Sequence, residues 1–595
     1  MRFLFPLLAS VVVAHADPHP RLMFPPAAEA ELKQRLAGDP LAERLQKYAL
    51  GKAENVLKER TCKYELADKI RLLPESRRAL EQVSYSAWAW RTTGEERFKE
   101  RTIRELDAAC ALQDWNPSHF LDVAEMATAV AIGYDWLYPA LSPEQRQRYE
   151  DALLDKALRV VGPRHAKTGW WRGATNNWTQ VCACGMALAA EAVRERDPEL
   201  CQGIIEHGRE LIEKCSAFYA PDGCYPEGPA YWHYGTNFEV MLIAARQSLG
   251  QPIEVTPLLR DSGNFLIQAH GPTGLSFNYA DSGPGSEQLS PARSWIATQF
   301  KDAGQARYIR EKFEKELNGG KISGFRTFPL HLLWLPPAPQ EGQGSKEAPL
   351  NASFGGEQAM AFMRNGWTPD SAWLAIKGGT GAASHGHLDA GSFVYEAGGQ
   401  RWFHDLGSDD YNMPGYFGNK RWSYLRLNNF SHNTLVIDGK NQKTPEEGCP
   451  ILVQPRPLEE APGARAKAGQ ARINTSIDLS GAYSGQAERV TRGIIFDPGD
   501  GSVAMTDMIR KASGPIRWAA VTKAAPKIEG KRVILEQGGK RLVLTQLAPA
   551  NVPWEEYSLK PATEAEEQNE GYHLIGFTVP PSGDSTALGV SWKLE

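Results

Sequence analysis

The sequence predicts an α+β multidomain fold in which an N-terminal α/α toroid precedes a C-terminal antiparallel β-sandwich. Three observations lead to this prediction. Apolar residues recur at helical spacing from about residue 26 to 318, a Pro- and Gly-rich linker follows at 335–345, and short strand-like runs separated by turn signals come after it. A chain of 595 residues is longer than one hydrophobic core ordinarily accommodates, so we expect separate domains. We predict a toroid at 17–335 and a sandwich at 350–595, and the sandwich has room for a further subdivision.

The helical half is recognised by the spacing of its apolar residues. In 202–219 these recur every three or four positions with charged residues between them, and helix breakers such as Pro-Asp-Gly at 221–223 separate the segments. About a dozen such helices predict stacked antiparallel pairs, either a solenoid or a closed toroid, and the lack of a fixed sequence repeat favours the toroid. The other amphipathic segments are 40–59, 76–93, 95–112, 120–138, 142–160, 177–195, 236–249 and 257–270.

The second half has the pattern of an antiparallel sandwich. Its apolar runs are short, and turn signals such as Asp-Pro-Gly-Asp-Gly at 497–501 and Gly-Gly at 538–539 separate them. The predicted strands are Ala372–Ile376, Gly391–Tyr395, Thr434–Ile437, Gly493–Phe496, Ser502–Met508, Arg532–Leu535 and Arg541–Thr545.

The first 16 residues have the pattern of a secretory signal peptide. Arg2 is followed by an apolar run and by Ala-His-Ala at 14–16, so we expect cleavage after Ala16 and export to the periplasm or beyond the cell. A buried N-terminal helix is the alternative interpretation. The apolar run is too short for an ordinary membrane span, and no later stretch is long enough for one.

Charge and cysteine content limit the possible partners. Loss of Arg2 with the signal peptide takes the formal net charge from −5 to −6, so no global basic field would recruit nucleic acid. An acidic ligand would therefore need a local basic cleft. The eight cysteines lack paired C-x-x-C spacing, but export permits disulfides, and Cys201, Cys215 and Cys224 are close enough in sequence to pair among themselves. The oligomeric state is left open.

A cluster of histidines marks a candidate metal site. Three of the 13 histidines, His385, His387 and His404, fall within 20 residues, and the motif Ser-His-Asn-Thr at 431–434 follows. In an extended segment alternate side chains share one face, so we expect His385, His387 and Asp389 to point into one site. Histidine and carboxylate ligands suit a divalent metal.

Loops of the helical half form a second group of candidates. Gly169–Trp178 and Asp222–Gly235 are rich in Asn, Tyr, Trp, His and Arg, and Ser118–Asp122 opens another helix. Each loop has a structural explanation, because an Asn can cap a helix and a Tyr can belong to the core. On the same reasoning, the alternative interpretations are a backbone hydrogen bond for Glu227, a satisfied sandwich residue for His432 and a turn residue for Asp405. Packing alone explains the combination poorly.

Four motifs together resemble the heparinase II/III superfamily of polysaccharide lyases, which also contains alginate lyases. They are Asn-Asn-Trp at 176–178, Asp-Gly-x-x-x-Glu-Gly-x-x-Tyr at 222–231, His-Gly-His-Leu-Asp-Ala-Gly at 385–391 and Ser-His-Asn-Thr at 431–434. The resemblance covers nearly all of the chain after the signal peptide.

The resemblance implies roles for individual residues. Asn177 would neutralise a uronate carboxylate, Tyr231 would transfer the proton and His385 would assist it, with Asn176 and Tyr234 as substitutes if the register shifts. Some members of the family have His at the position of Asn177, so a histidine base is not available there. His387, Asp405 and His432 would hold a metal, Zn²⁺ before Mn²⁺, with a structural role. The candidate substrate-binding residues are Asn176, Arg172, Trp178, Glu227, His233, Tyr234, His119 and Arg421.

The residue types suit β-elimination from a uronic acid. An amide that hydrogen-bonds the uronate carboxylate stabilises the enolate-like charge that develops when the C5 proton leaves. Tyrosine has a normal pKa of about 10, so a cationic neighbour such as Arg172 or His385 would help Tyr231 act as a base, and the same hydroxyl can then protonate the leaving oxygen.

We expect an acidic, uronate-containing polysaccharide, with glycosaminoglycans (hyaluronan, chondroitin or heparan sulfate) ahead of alginate. The basis is the local supply of cations and indole rings, although the loop 420–426 also fits a solvated face. Two other functions stay open: a glycoside hydrolase using carboxylates among Asp122, Glu125 and Glu227, and a non-catalytic sugar-binding protein. The cationic and indole residues are Arg172, Lys420, Arg421, Arg426, Trp170, Trp171, Trp178, Trp232 and Trp422.

Overall fold

The computed structural model describes residues 18–285, 287–340, 348–456 and 472–595. The predicted signal peptide lies outside the described residues. Two compact units are present. The described residues up to Trp170, with Cys182–Arg209 and Met241–Ile253, form the first unit, and Trp171–Val181, Glu210–Val240 and Glu254–Glu595 form the second. The predicted domain boundaries stay a prediction.

The first unit is built around a buried helix. Every residue of α5 (Phe120–Leu137) is buried, and α5 packs against α3 (Leu73–Thr93), which also contacts α2 (Pro40–Val56) and α4 (Glu96–Ala111). A helix that is apolar on nearly all sides is stable only when neighbours cover all of its faces.

Many helices begin at a proline, whose fixed φ and missing N–H suit the first helical position. Three helices, α7 to α9, pass from one unit into the other, and the N-terminal ends of α7 and α9 belong to the second unit. The remaining helices are α1 (Pro26–Gly38), α6 (Pro143–Lys156), α7 (Asn177–Val193), α8 (Pro198–Cys215), α9 (Pro229–Ser248), α10 (Pro257–Gln268), α11 (Pro291–Gln299), α12 (Ala303–Asn318) and α13 (Leu330–Trp334).

The second unit contains three antiparallel sheets. Their strand orders are β1-β2-β3-β4-β5, β12-β13-β14-β17-β10-β9-β8-β7 and β15-β16-β11-β6. The strands are β1 (Asn351–Phe354), β2 (Met360–Arg364), β3 (Trp373–Lys377), β4 (Phe393–Ala397), β5 (Gln400–Phe403), β6 (Leu435–Ile437), β7 (Ile451–Arg456), β8 (Arg472–Asp478), β9 (Arg489–Phe496), β10 (Val503–Arg510), β11 (Ile516–Thr522), β12 (Pro526–Glu529), β13 (Arg532–Gln537), β14 (Lys540–Ala548), β15 (Glu555–Tyr557), β16 (His573–Val579) and β17 (Ser585–Leu594).

One hydrophobic core joins the three sheets. It contains Phe393 of β4, Trp518 of β11 and Trp592 of β17, and the Phe393 and Trp592 rings stack with centroids 5.4 Å apart. Because side chains alternate across each strand, every sheet can direct one row of apolar residues into this shared core.

The predicted fold class is confirmed: a helical N-terminal region is followed by C-terminal antiparallel sheets. Each predicted amphipathic segment and strand overlaps an observed element, with ends that differ by a few residues. Within the described part of the chain, no helix combines the length and apolarity needed to cross a membrane.

The eight cysteines do not form the disulfides that export would permit. All eight are buried thiols, including Cys201, Cys215 and Cys224. They act as small apolar core residues.

Candidate active site and metal site

The candidate active site is organised around the carboxylate of Glu227, which is buried just before α9. The next residue, Gly228, has a φ of +92°, and a Cβ there would lie 2.2 Å from Oγ of Ser282. Only glycine fits this close turn without displacing its neighbours, so the Glu-Gly pair of the sequence motif has a direct structural reason. Tyr225 also donates a hydrogen bond to Oε2 of Glu227 at 3.3 Å.

Asn177 is bound to Glu227 through two groups. Its backbone N–H donates to Oε2 at 2.6 Å and its Nδ2 donates to Oε1 at 2.9 Å. Asn177 is the first residue of α7, so the carboxylate also lies at the positive end of a helix dipole. Asn176 caps this helix, because its Oδ1 accepts the N–H of Trp178 at 3.1 Å. The capping interpretation of the Asn pair therefore holds for Asn176.

His385 reaches the same carboxylate from the loop between β3 and β4. Its Nδ1 bonds Oε1 of Glu227 at 2.7 Å, and Ser384 donates to the same oxygen at 3.1 Å. Because a carboxylate oxygen accepts hydrogen bonds, Nδ1–H of His385 is the donor in this contact. The φ of His385 is +59°, a left-handed conformation that is uncommon for a residue with a Cβ.

Tyr231 lies in the first turn of α9, and its ring stacks on His385 with centroids 4.3 Å apart and planes 9° from parallel. Its hydroxyl forms a hydrogen bond with the hydroxyl of Tyr411. Burial, reinforced by the charges of Tyr231 and Asp281, raises the pKa of Tyr411 well above its usual range. Tyr411 therefore keeps its proton and is the donor whenever Tyr231 ionises. Tyr411 was missed by the sequence analysis because no motif or spacing marks it.

Arg421 stabilises the left-handed turn at His385 through hydrogen bonds to its backbone. Its Nη2 donates to the carbonyl oxygen of His385 at 2.9 Å and its Nε to that of Gly386 at 3.1 Å. Nη2 also donates to Oδ1 of Asp281 at 3.0 Å. Burial alone would raise the pKa of Asp281, but the hydrogen bond from His387 and the charges of His387 and Arg421 lower it to about 2. Asp281 is a second residue that the sequence did not indicate.

A separate cluster joins His387, Asp405 and His432, whose ligand atoms all lie within 4.8 Å of one another. All three side chains are buried. Nδ1 of His432 bonds Oδ2 of Asp405 at 3.0 Å, and Nε2 of His387 bonds Oδ1 of Asp281 at 2.9 Å. Asp281 thus orients His387 as carboxylates commonly orient metal-binding histidines.

The buried cluster passes a test of its fit to a metal. Nδ1 of His387 and Nε2 of His432 are buried and have no hydrogen-bond partner in the described part of the chain. Unpaired buried nitrogens are costly, and a coordinated divalent ion would satisfy both of them. Burial lowers the pKa of His387, which favours the neutral imidazole that a metal requires. The residues present therefore fit a divalent metal.

The expectation that His385, His387 and Asp389 share one face is wrong. The segment is a loop with a left-handed residue and not a strand, so His385 turns to Glu227 while His387 turns to Asp405 and His432. Asp389 is bound instead to Nζ of Lys377, and both side chains are buried.

Four of the predicted substrate-binding residues lie apart from the Glu227 contacts. Nδ1 of His233 bonds Oγ of Ser290 at 3.1 Å, and burial lowers the pKa of His233 well below its usual range. Tyr234 is buried edge-on against Phe238. His119 belongs to the first unit, where it bonds Asp122 at 2.7 Å, and Arg421 is engaged as described above.

Arg172 lies in the short 3-10 helix Trp170–Gly173, and Trp178 lies at the start of α7. Both side chains are half-buried. Trp171 and Trp232, which were expected in a sugar-binding cleft, are fully buried and belong to the core. Trp170 is 41% exposed. The substrate contacts of all these residues stay a prediction.

Comparison with known proteins agrees with this architecture. Residues 352–564 match the family described as heparinase II/III-like, C-terminal. No curated protein sequence matches the chain.

Among solved structures, the chain is similar to a mutant of the heparan sulfate lyase HepC from Pedobacter heparinus, with a TM-score of 0.58 and 12% identity over 97% of this chain and 92% of that one. A heparinase III gives a TM-score of 0.59 and 14% identity, with coverage of 96% and 88%. At such identity the likeness establishes the fold. The resemblance drawn from the sequence motifs is confirmed, and the chain carries a heparinase II/III-like C-terminal domain.

Proposed function

We propose that the protein is a polysaccharide lyase that cleaves uronic-acid-containing polysaccharides by β-elimination and leaves an unsaturated uronate end. The observation that carries the proposal is the Glu227 network, in which Asn177 and His385 bind one carboxylate and Tyr231 stacks on His385. These three residues are the ones to which the family resemblance assigns catalysis. The heparinase II/III-like domain is the second line of support.

Asn177 is suited to stabilise the charge that develops when the C5 proton leaves. Its Nδ2 has two hydrogens, and the contact with Glu227 uses one of them. The second hydrogen can bind the uronate carboxylate, and Glu227 holds the amide in a fixed orientation before substrate arrives. A donor that needs no rearrangement is the most effective kind of electrostatic stabiliser.

Tyr231 is suited to move the proton. A phenolate at Tyr231 would accept a hydrogen bond from Tyr411, which retains its own proton because burial raises its pKa. The ring of His385 stacks on that of Tyr231, and the bond to Glu227 fixes its orientation. After taking the C5 proton, Tyr231 can deliver it to the leaving C4 oxygen.

The cluster of His387, Asp405 and His432 would hold Zn²⁺, or Mn²⁺ with added water ligands. When bound, the ion would supply structural cross-linking between the β3–β4 loop, the end of β5 and the segment before β6. The residues assigned to proton transfer are not members of this cluster, and we therefore assign the metal a structural role.

For the substrate we favour glycosaminoglycans over alginate. The support is a set of cationic and aromatic side chains on the loops that carry the proposed site: Arg172 is half-buried, Lys420 is exposed, and Phe417 is 58% exposed with its ring 5.8 Å from that of His385. Exposed aromatic rings suit sugar faces, and cations suit carboxylate and sulfate oxygens. We further propose export, on the basis of the signal-peptide pattern at 1–16.

The glycoside hydrolase alternative has little support from the carboxylates. Asp122 and Glu125 are buried in the first unit, where Asp122 bonds Asn116 and Glu125 bonds Arg77. Glu227 is occupied by the donors already described. All three carboxylates are buried and bonded to protein donors, and none of these contacts favours the role of an acid or base in hydrolysis.

The test is incubation with a panel of purified uronate polysaccharides, including alginate. We expect a rise in the ultraviolet absorbance of unsaturated uronate, and none with the Tyr231→Phe variant. New reducing ends without that absorbance would mean hydrolysis, and the absence of both signals for every polymer would favour a binding protein. Cleavage of alginate alone would retain the lyase assignment and refute the substrate order.

A further inference from the structure

We propose that the second unit carries another binding site, distinct from the Glu227 network, for a carboxylate- or sulfate-bearing sugar unit. The identity of the ligand rests on the proposed function. The site is a cavity of about 400 Å³ beside α10, α12 and the segment after β2, a volume within the usual range of about 300–1,000 Å³ for small-molecule sites. Its lining includes Arg307, Tyr308, Lys312, Lys315, Arg364 and Trp367.

The cavity has an excess of positive charge. Four cationic side chains line it, and Glu311 is the only acidic residue among the lining residues of the described chain. Lys312 is partly neutralised by Glu287, whose Oε2 lies 3.2 Å from Nζ. Glu316 also lies 3.7 Å from this Nζ. Lys315 and Arg364 form no ion pair with a described residue, and their charges favour an anionic ligand over a neutral one.

Arg364 is the strongest indication of a ligand. It is 1% exposed, and its contacts are to neutral oxygens: Nη2 donates to the carbonyl oxygens of Gln268 at 3.0 Å and Ile267 at 3.3 Å and to that of His270, and Nε donates to Oε1 of Gln268 at 3.4 Å. No described residue accepts a hydrogen bond from Nη1 or forms an ion pair with Arg364.

A buried cation without a carboxylate is energetically costly. Burial lowers the pKa of Arg364 to about 9, which reflects this cost. An anion in the cavity would offset the cost and would give Nη1 an acceptor.

Aromatic rings give the cavity its preference for a sugar. The guanidinium of Arg364 lies 4.2 Å from the centroid of a Trp367 ring, whose Nε1 donates to the carbonyl oxygen of Ala348 at 3.0 Å. Tyr308 is held in place by a hydrogen bond to Oε2 of Glu287 at 2.7 Å. Fixed rings beside an unpaired guanidinium nitrogen suit a pyranose that carries an acidic group.

The alternative is that Arg364 serves α10 alone. Ile267 and Gln268 belong to the last turn of that helix, and a cation there satisfies the terminal carbonyl groups. Under this alternative the cavity binds no ligand. The two interpretations therefore differ in whether an added ligand protects Lys312 and Lys315 from chemical modification.

The experiment measures acetylation of individual lysines by mass spectrometry in the full-length Tyr231→Phe protein, with and without hyaluronan- and heparan-type oligosaccharides. We expect dose-dependent protection of Lys312 and Lys315, and no change at Lys301 and Lys321, which are exposed near the ends of α12 and do not line the cavity. The proposal would be overturned if acetylation of Lys312 and Lys315 stayed unchanged with every oligosaccharide, at concentrations that saturate any binding of that oligosaccharide to the protein.

Two variants test the cavity directly. Arg307→Glu with Lys315→Glu reverses two of its charges and should abolish the protection of Lys312, whereas the matched control Lys301→Glu with Lys321→Glu should retain it. Arg364→Lys keeps the charge but removes the guanidinium fork, and should weaken protection. Equal protection of Lys312 in the charge-reversed and control proteins would contradict the proposal.

The readout separates this site from the proposed lyase activity. Protection of Lys312 in the Tyr231→Phe protein, together with no cleavage of any polysaccharide by the wild-type protein, would retain the cavity site and reject the lyase. Cleavage by the wild-type protein with unprotected Lys312 and Lys315 would retain the lyase and reject the cavity site.

Discussion

His385 and His387 are two residues apart in one loop, yet their surroundings differ in almost every respect. The side chain of His385 is 9% exposed and faces Glu227, Tyr231 and Tyr411. The side chain of His387 is fully buried and faces Asp281 and His432. The left-handed backbone of His385, whose carbonyl oxygen accepts a hydrogen bond from Arg421, turns the two side chains in different directions. One short motif thus serves a site suited to proton transfer and a site suited to a metal.

The difference shows that the role of a histidine depends on the surroundings of the ring nitrogen that its carboxylate partner does not bind. In His385 a carboxylate holds Nδ1 and the other nitrogen is at the partly open side. In His387 a carboxylate holds Nε2, and the other nitrogen points to a buried position without a partner. The side chain of His385 keeps a small exposed fraction, and that of His387 has none.

The largest expected effect is a difference in the free energy of unfolding between variants of His387 and His385. His387→Ala removes a proposed metal ligand and leaves Asp281 buried without that hydrogen bond, so we expect the free energy of unfolding to fall by roughly 3–5 kcal/mol, with loss of the proposed metal. The measurements are denaturant unfolding and elemental analysis of the purified protein.

His385→Ala is the matched control for that loss. We expect it to retain its metal and most of its stability while turnover falls. If both variants lost the same amounts of stability and metal, the division of the motif between two sites would be incorrect.

The next effect concerns the two tyrosines of the proton-transfer side. Tyr231→Phe removes only a hydroxyl, so the fold should survive while turnover drops by about 10²–10⁴-fold, the usual contribution of a general acid–base group. Tyr411→Phe removes one hydrogen bond to Tyr231 and should cost less. The pair of variants is compared by initial rates of unsaturated-product formation, and a larger loss for Tyr411→Phe would move the proton transfer to Tyr411.

Asn177→Ala should reduce turnover through lost stabilisation of the enolate-like charge, by about 2–4 kcal/mol in activation free energy. Asn177→Asp places a negative charge against Glu227 and should be at least as harmful. Steady-state kinetics check both, and an unchanged kcat in Asn177→Ala would transfer the role to another donor, with Asn176 the first to test.

The smallest effect concerns Glu239, a buried carboxyl on α9 that accepts hydrogen bonds from the neutral side chains of Tyr219 and Gln180. Burial raises the pKa of Glu239 to about 7. A carboxyl with a raised folded-state pKa binds more protons in the native state, so stability should fall as pH rises from about 4.5 through 7, by about 1–3 kcal/mol.

The Glu239→Gln variant should lack this pH dependence and should be more stable than the wild type above pH 7. Chemical denaturation across this pH range provides the measurement. Identical pH profiles for the two proteins would show that Glu239 is ionised throughout.

Much of this molecule could be predicted from its sequence. Helical spacing and short apolar runs located many of the helices and strands, because periodicity directly reports which face is buried. Others, such as β1, β2 and α12, were not predicted. The motifs led to Asn177, Tyr231, His385 and the metal cluster through a family resemblance. The direction of the loop side chains could not be predicted, since a left-handed φ at His385 leaves no pattern in the sequence.

Residues that act through long-range contacts were also missed. Tyr411 and Asp281 reach their sites only after the chain folds, and neither is part of a spaced motif. Arg421 was expected to bind sulfate on a loop, and that role stays a prediction. Its guanidinium donates to Asp281 and to three backbone carbonyl groups, contacts that the sequence did not indicate. Composition indicates that cations are available, and only the fold determines which of them face the solvent.

The most direct test of the central claim is the fate of solvent oxygen during cleavage. The wild-type protein and the Tyr231→Phe variant would be incubated with a uronate polysaccharide in water labelled with heavy oxygen, and the products analysed by mass spectrometry. Elimination breaks the C4–O bond without adding water, so the account predicts unsaturated products from the wild type, each one water lighter than the hydrolysis product, and almost none from the variant. Their label should not exceed that which reducing-end exchange introduces into an untreated oligosaccharide. Saturated products that carry the label, or equal cleavage by both proteins, would contradict it.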